Sequence, residues 1–136
     1  MIRPINTSEF LLAIPAREAG AQDVATADDL RDTLYAHKDG CVGMAANMIG
    51  QNVAIIVFYK GNKIEEMFNP KIISAKGPYT CEEGCLSLEG QRTTERYRQI
   101  KVSWQDRQMV SHEQSFAGFV AQIIQHEIDH INGILI

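Results

Sequence analysis

Two histidines four positions apart, His126 and His130, frame the run Gln125-His126-Glu127-Ile128-Asp129-His130 near the end of the chain. On an α-helix that spacing puts both imidazoles on one face, one turn apart, where two nitrogens can hold one metal ion. Glu127 falls between them. Its carboxylate does not share that ligand arc, but it can reach a water at the metal, which is the work of a general base. The competing reading is a pair of core histidines satisfied by hydrogen bonds, and the bare HExxH pattern does not separate the two.

Two imidazoles leave a metal short of ligands, and a thiolate is the strong third donor for zinc or iron(II). The chain has three cysteines, Cys41, Cys81 and Cys85. Cys81 and Cys85 with His126 and His130 formally make a closed, structural Cys2His2 zinc site. Two features oppose that arrangement. Classical fingers hold the pairs about a dozen residues apart, whereas roughly forty intervene here. A closed site also has no use for a carboxylate beside its first histidine, while an open, catalytic one does.

The elements that must position these groups can be sketched from the sequence. Ser115 is a candidate N-cap for a helix from Phe116 to Ile131, stopped by Asn132-Gly133. Phe116, Phe119, Val120, Ile123, Ile124, Ile128 and Ile131 cover more than one of its faces, which predicts a central, buried helix. Residues 1–25 read as irregular. A second helix is expected from a cap at Thr26 or Asp28 to about Lys38, with Leu30 and Leu34 inward, His37 half-exposed and Asp39-Gly40 as its end.

Cys41 to Gly50 is small, apolar and flanked by glycines, a composition suited to backbone packed closely against a substrate or another strand. Val53–Tyr59 is a strand, turned by Gly61-Asn62 into Ile64–Phe68. Asn69-Pro70 should break that strand, Lys71–Ala75 should form a short one, and Gly77-Pro78 a loop. Gln99–Trp104, a turn at Asp106-Arg107 and Met109–Glu113 complete an antiparallel set. Strands followed by one long buried helix make an α+β arrangement. At 136 residues the chain is expected to be a single domain, residues 1–136.

A formal charge of −4 gives no broad basic field, so no specific nucleic-acid recognition is expected. Arg92, Arg96, Arg98 and Lys101 cluster, but a strand would split them between faces. No apolar run is long enough to cross a bilayer, and the N-terminus lacks the h-region of a signal peptide. An odd number of cysteines argues against a disulfide framework and for a reducing, cytoplasmic setting.

Taken together, Cys41 to Gly50, Glu83-Gly84-Cys85-Leu86-Ser87 and Gln125 to His130 resemble, in order and spacing, the three signature motifs of the peptide deformylases. Those motifs run G-x-G-L-A-A-x-Q, E-G-C-L-S and Q-H-E-x-D-H, and the second and third are intact. Asn69-Pro70 and Gly133 also look like the family, and the similarity runs from about residue 28. The family's common C-terminal extension is not expected, with six residues after His130.

The resemblance implies antiparallel β-sheets packed around a central C-terminal helix carrying HExxH. It implies removal of the N-formyl group from the initiator methionine of nascent polypeptides, releasing formate. The partners it implies are those N-formyl-methionyl peptides and the ribosome surface, with no membrane. Carried onto this sequence, the ligands are Cys85, His126 and His130, and Glu127 is the acid/base. Cys81 has no role. One divalent ion per chain is implied, Fe2+ physiologically, with Zn2+, Ni2+ or Co2+ able to replace it. The backbone N–H of Leu86 is an oxyanion donor, and Gly43 binds substrate backbone. Val42, Phe119 and Ile123 line the methionine pocket, Arg92 stands with these substrate-binding residues, and Glu83 pairs with Arg96 or Arg98.

The first motif departs from the pattern. Cys41 replaces its opening glycine, Met44 its leucine and Met48 its glutamine. In the family that glutamine amide helps hold the transition-state oxygen, and a thioether cannot donate a hydrogen bond. Asn47 is adjacent but offset by one residue. Three readings follow: an active deformylase, a metal-holding relative with weak or altered activity, and a non-catalytic, zinc-stapled binding module.

Overall fold

The computed structural model describes residues 1–136. Five strands form one antiparallel sheet in chain order: β1 (Gly43–Ala45), β2 (Ile55–Lys60), β3 (Lys63–Cys85), β4 (Leu88–Gln105) and β5 (Ser111–Ala117). Three helices accompany it: α1 (Glu9–Leu12), α2 (Val24–Ala36) and α3 (Gly118–Ile131). The α+β class and the closing helix agree with the sequence.

The β-branched run Ile55–Phe58 is wholly buried and sits mid-sheet, paired with β1 through Gly43↔Phe58 and Ala45↔Ile56 and with β3 through Ile55↔Phe68. The chain order leaves β1 on the sheet edge. Helix α3 buries Ala121, Ile124, Ile128 and Ile131 among the same core residues, and also Gln125, His126, Glu127 and His130. Its apolar and chemical faces are both covered, as expected of a central helix.

Several boundaries differ from the sequence reading. Asn69-Pro70 does not break the strand. Asn69 takes a positive φ of 55°, and the ladder slips between Phe68 and Lys71, so a bulge absorbs the pair within one long β3. The Asn69 side chain fixes this kink by accepting from Ala19 N–H at 2.7 Å and donating to the Ala19 carbonyl at 2.9 Å. Gly77-Pro78 is strand rather than loop, with Pro78 opposite Tyr97. Strand β2 pairs with β3 only as far as Phe68, so beyond it one edge of β3 is open and a proline there forfeits no ladder bond.

Ser115 does not cap α3. It and Phe116 stay in β5 opposite Lys101 and Ile100, with the Phe116 ring edge-on to Phe58 at 6.4 Å, and the helix begins at Gly118. Helix α2 starts earlier than Thr26, after a 3-10 turn over Ala21–Asp23, and ends at Ala36. Its Ala27, Leu30 and Leu34 are buried, and half-buried His37 caps its end with Nδ1 at 2.9 Å from the Thr33 carbonyl. Residues 1–25 also contain α1, capped by Ser8, with Leu12 in the core.

The end of α3 docks on this N-terminal segment. Ala16 N–H donates to the Ile131 carbonyl at 2.8 Å, and Gly133, at φ 78°, lies where a Cβ would stand 2.5 Å from the Ala13 carbonyl oxygen. Both the left-handed backbone and the clash forbid a side chain. Gly133→Ala should therefore cost about 1–3 kcal/mol or more in urea unfolding, whereas Gly40→Ala, with nothing within 4 Å and no positive φ, should be near neutral.

Candidate metal centre

Two elements deliver the candidate ligand atoms. Cys85 ends β3, at a tight turn that brings it opposite Leu88. His126 and His130 occupy successive turns of α3. One donor atom from each of Cys85, His126 and His130 lies within 4.8 Å of the others. The two Nε2 atoms face each other at 3.1 Å. Nitrogens each about 2.0–2.1 Å from one ion lie about 3 Å apart, so the pair fits a shared metal. One thiolate with two imidazoles is a donor set for zinc or iron(II). Ser87 N–H points at the Cys85 sulfur at 3.4 Å.

Cys81 is not part of this group. Its thiol faces Glu83 Oε2 at 3.6 Å and Gln122 Nε2 at 3.7 Å, so the closed Cys2His2 arrangement is not formed. One cysteine and two histidines are three donors, one fewer than a closed structural site uses.

A buried charge network orients His126. Its Nδ1 lies 2.8 Å from Glu83 Oε1. Glu83 also receives Arg96 through Nη2 at 2.7 Å and Nε at 3.0 Å, and Gln122 Nε2 at 2.9 Å. Arg96 then reaches Asp129 at 2.7 Å. Of the two arginines expected for Glu83, Arg96 is the one that serves; Arg98 lies over the Tyr79 ring at 4.9 Å. Burial resists ionisation of Glu83, yet the bonds from His126, Arg96 and Gln122 prevail and hold its carboxyl at about 2. For His126, burial opposes the charge, but Cys85 and Glu83 outweigh it and push the imidazole up to about 10. Burial and the neighbouring His126 push His130 down to about 3.

Glu127 is 3% exposed, and its Oε1 has no protein partner. Burial raises its carboxyl to about 7 against the pull of His126 and Arg96. That places its proton affinity where a group that takes and returns a proton at neutral pH works best. Gly43 on β1 packs directly against it. A Cβ on Gly43 would stand 2.9 Å from Glu127 Oε2 and 2.6 Å from Ile123 Cγ2, so only glycine lets the strand lie this close.

Glu127 and His126 form one wall of a cavity of about 590 Å³. Val42, Gly43, Leu86, Phe119 and Ile123 also line it, all expected from the sequence. Phe119 is 62% exposed, Val42 42% and Ile123 6%, so the apolar wall runs from the mouth inward. Arg92 is the exception. It is not among the lining residues, and its guanidinium lies 3.6 Å from Glu9.

Sequence reasoning missed Gln122 and Gln91, which also line the cavity. Gln122 was legible, since it precedes His126 by one turn on the same helix face; nothing in the sequence singles out Gln91. Met48 lines the cavity and is buried, with its sulfur 3.4 Å from its own Ala45 N–H. Asn47 is turned away from the cavity: its Nδ2 donates to the His130 carbonyl at 2.7 Å.

A thiolate–imidazole metal site beside a buried carboxylate, on this sheet-and-helix frame, is that of a metal-dependent amide hydrolase. The fold is close to that of the class I type b peptide deformylase of Acinetobacter baumannii solved with Met-Ala-Ser bound, at TM-score 0.89 and 28% identity, covering 99% of this chain and 97% of that one. The peptide deformylase of Thermotoga maritima is similar at TM-score 0.88 and 30% identity, covering 99% and 95%. In sequence, the peptide deformylase of Clostridium beijerinckii is 49% identical over 136 residues, the full length of both chains. A family model described as Polypeptide deformylase matches residues 12–136. The chain belongs to that family.

The ligand assignment separates the two cysteines of the middle segment. Cys85→Ser should lose the bound metal, while Cys81→Ser should keep close to one ion per chain by elemental analysis. A requirement for both would return the site to the closed, structural kind.

Proposed function

We propose that residues 1–136, acting as one domain, hydrolyse the N-formyl amide of the initiator methionine of nascent polypeptides. Cys85, His126 and His130 would hold the metal, and Glu127 would be the acid/base. The observation that carries this reading is the clustering of three candidate ligand atoms beside a cavity lined by Cys85, His126 and Glu127, the last with an orphaned, buried carboxylate oxygen. Iron(II) is the physiological ion on this reading, with zinc, nickel or cobalt accepted by the same donors. No helix is long and apolar enough to cross a membrane; on this reading the substrates are met at the ribosome surface.

When bound, the ion supplies Lewis-acid charge and lowers the pKa of a water at its open position. Glu127 would take a proton from the attacking water as its oxygen bonds to the formyl carbon, and would return it to the amine nitrogen as the C–N bond breaks. Formate and a free N-terminus result. The Leu86 N–H faces the developing oxyanion, Gly43 aligns the peptide backbone along the open edge of β1, and Val42, Phe119 and Ile123 take the methionine side chain. The exposure of Phe119 and Val42 suits a pocket that closes over an unbranched chain entering from solvent.

Glu127→Ala should keep the metal and lower kcat by roughly 10²–10⁴-fold. In the parent, the base form of Glu127 is the competent one, so kcat/KM should rise with pH along an acidic limb. Burial places that limb near about 7, and a bound cation draws it lower by favouring the carboxylate. The limb should vanish from the residual activity of Glu127→Ala; its survival there would assign it to another group.

Met48 offers the transition-state oxygen no side-chain amide, so the Leu86 N–H would be the donor this chain supplies. Losing one oxyanion donor typically costs about 10²–10³ in kcat. Met48→Gln should therefore raise kcat on formyl-Met peptides, with KM changing less, while Met48→Leu should stay near the parent. Equal behaviour of the two variants would mean that another group already supplies the missing donor.

A further inference from the structure

Five buried side-chain polar atoms lack a hydrogen-bond partner in the chain: Asn47 Oδ1, Tyr59 OH, Ser87 Oγ, Glu127 Oε1 and His130 Nδ1. Such atoms are uncommon in folded proteins, and each calls for a reason. Glu127 has one, since it lines the cavity where water and substrate enter. Asn47 Oδ1 and His130 Nδ1 stand out because their residues already touch. Asn47 Nδ2 donates to the carbonyl of His130 itself at 2.7 Å, and both side chains are buried, at 3% and 0% exposure.

Their chemistry is complementary. His130 presents Nε2 toward His126 Nε2, on the ligand side. A neutral imidazole that gives Nε2 to a metal carries its proton on Nδ1 and must donate it. An amide oxygen can only accept. The other ligand shows what the site requires: His126 Nδ1 is held by Glu83 Oε1 at 2.8 Å, whereas His130 Nδ1 has no equivalent. Metal-bound histidines almost always have such an outer partner, which fixes ring orientation and tautomer.

Resting on the ligand assignment above, we propose that Asn47 is the positioning residue of His130. When an ion seats the ring, Nδ1–H closes onto Asn47 Oδ1, while Asn47 Nδ2 keeps its hold on the His130 carbonyl. The ligand is then gripped at two points by one side chain. The two histidines receive unlike support, a carboxylate behind His126 and a neutral amide behind His130. A neutral second partner adds no negative charge behind a site that already contains a thiolate, which leaves the ion more electrophilic. Asn47 is thus committed to the metal site and is not the substitute oxyanion donor that its place beside Met48 suggests.

The test uses the full chain loaded with zinc or cobalt. In the zinc-loaded parent, nitrogen-15 correlation of the imidazoles should place the His130 ring proton on Nδ1, slow to exchange with solvent. Asn47→Leu, similar in size but without either bond, should release metal to a chelator about 10–100-fold faster and shift the cobalt d–d and thiolate charge-transfer bands. Asn47→Asp, which keeps an acceptor, should recover most of the retention. If Asn47→Leu melts lower in its metal-free form yet releases metal at the parent rate with an unchanged cobalt spectrum, Asn47 is only a structural clip and the inference fails. Should that variant not fold, the parent spectrum decides: a His130 proton on Nε2, or a freely exchanging one on Nδ1, overturns the proposal. A parent that binds no metal overturns the ligand assignment and this inference with it, whereas variants indistinguishable from a metal-binding parent overturn this inference alone.

Discussion

The structure depends on one buried ion pair. Arg96 is 3% exposed, and its guanidinium binds Glu83 and Asp129 at once. Helix α3 places two imidazoles and two carboxylates in or beside the core, where uncompensated charge is costly. The Arg96 fork joins strand β4 to the last turns of α3 and to the Glu83 carboxylate of β3, so the three elements that build the site share one electrostatic node. Removing one partner of such a pair strands the other in low dielectric, at a typical cost of roughly 3–5 kcal/mol. Glu83 is both the answer to Arg96 and the hydrogen-bond acceptor for His126. The group that neutralises the buried cation is also the group that orients His126.

A second constraint is steric. Glu127 lies on a different face of α3 from the two histidines, and that face packs against β1. The strand comes within van der Waals reach of its carboxylate only because residue 43 has no side chain. This contact completes the burial of Glu127 and so raises its proton affinity toward neutrality. Local sequence, close backbone approach, desolvation and the capacity to shuttle a proton thus form one causal chain. It begins with a glycine that, read alone, signalled only tight packing.

What the sequence made legible follows from how local each signal is. The i, i+4 histidines, the intervening glutamate and the buried character of α3 are properties of one helix, and the sequence predicted them directly. The boundaries it missed belong to tertiary context. Asn69-Pro70 and Gly77-Pro78 read as breaks because proline removes a donor, but β3 has an open edge there and a bulge that accepts the φ of Asn69. Ser115 read as a cap because its hydroxyl suits one, yet seven ladder positions between β4 and β5 hold it in the strand. The choice of Cys85 as third donor came from the motif rather than from geometry, since nothing local separates it from Cys81; both reach α3, but Cys81 meets Gln122 while Cys85 stands with the two imidazoles. Arg92 was placed with the substrate residues, and its contact with Glu9 of α1 could not be seen without the fold.

The 3-10 turn over Ala46–Ile49 explains why neighbouring residues in the degenerate motif have unrelated duties. About three residues complete such a turn, so consecutive side chains diverge by roughly a third of a revolution. Met48 is directed at the cavity with its sulfur folded onto Ala45 N–H, while Asn47 is directed at the end of α3. The same turn is tied to the N-terminal segment, with Asn6 N–H donating to the Met48 carbonyl at 2.7 Å and Asn6 Nδ2 to that of Asn47 at 3.2 Å. A shift of one residue in this turn would place either Asn47 at the cavity with Ala46 against the His130 carbonyl, or Ile49 at the cavity with Met48 against that carbonyl. The backbone bonds to Asn6 set against that shift, so the loss of an amide donor at position 48 and the gain of an amide contact at position 47 are separate facts about this site, each fixed by the geometry of the turn.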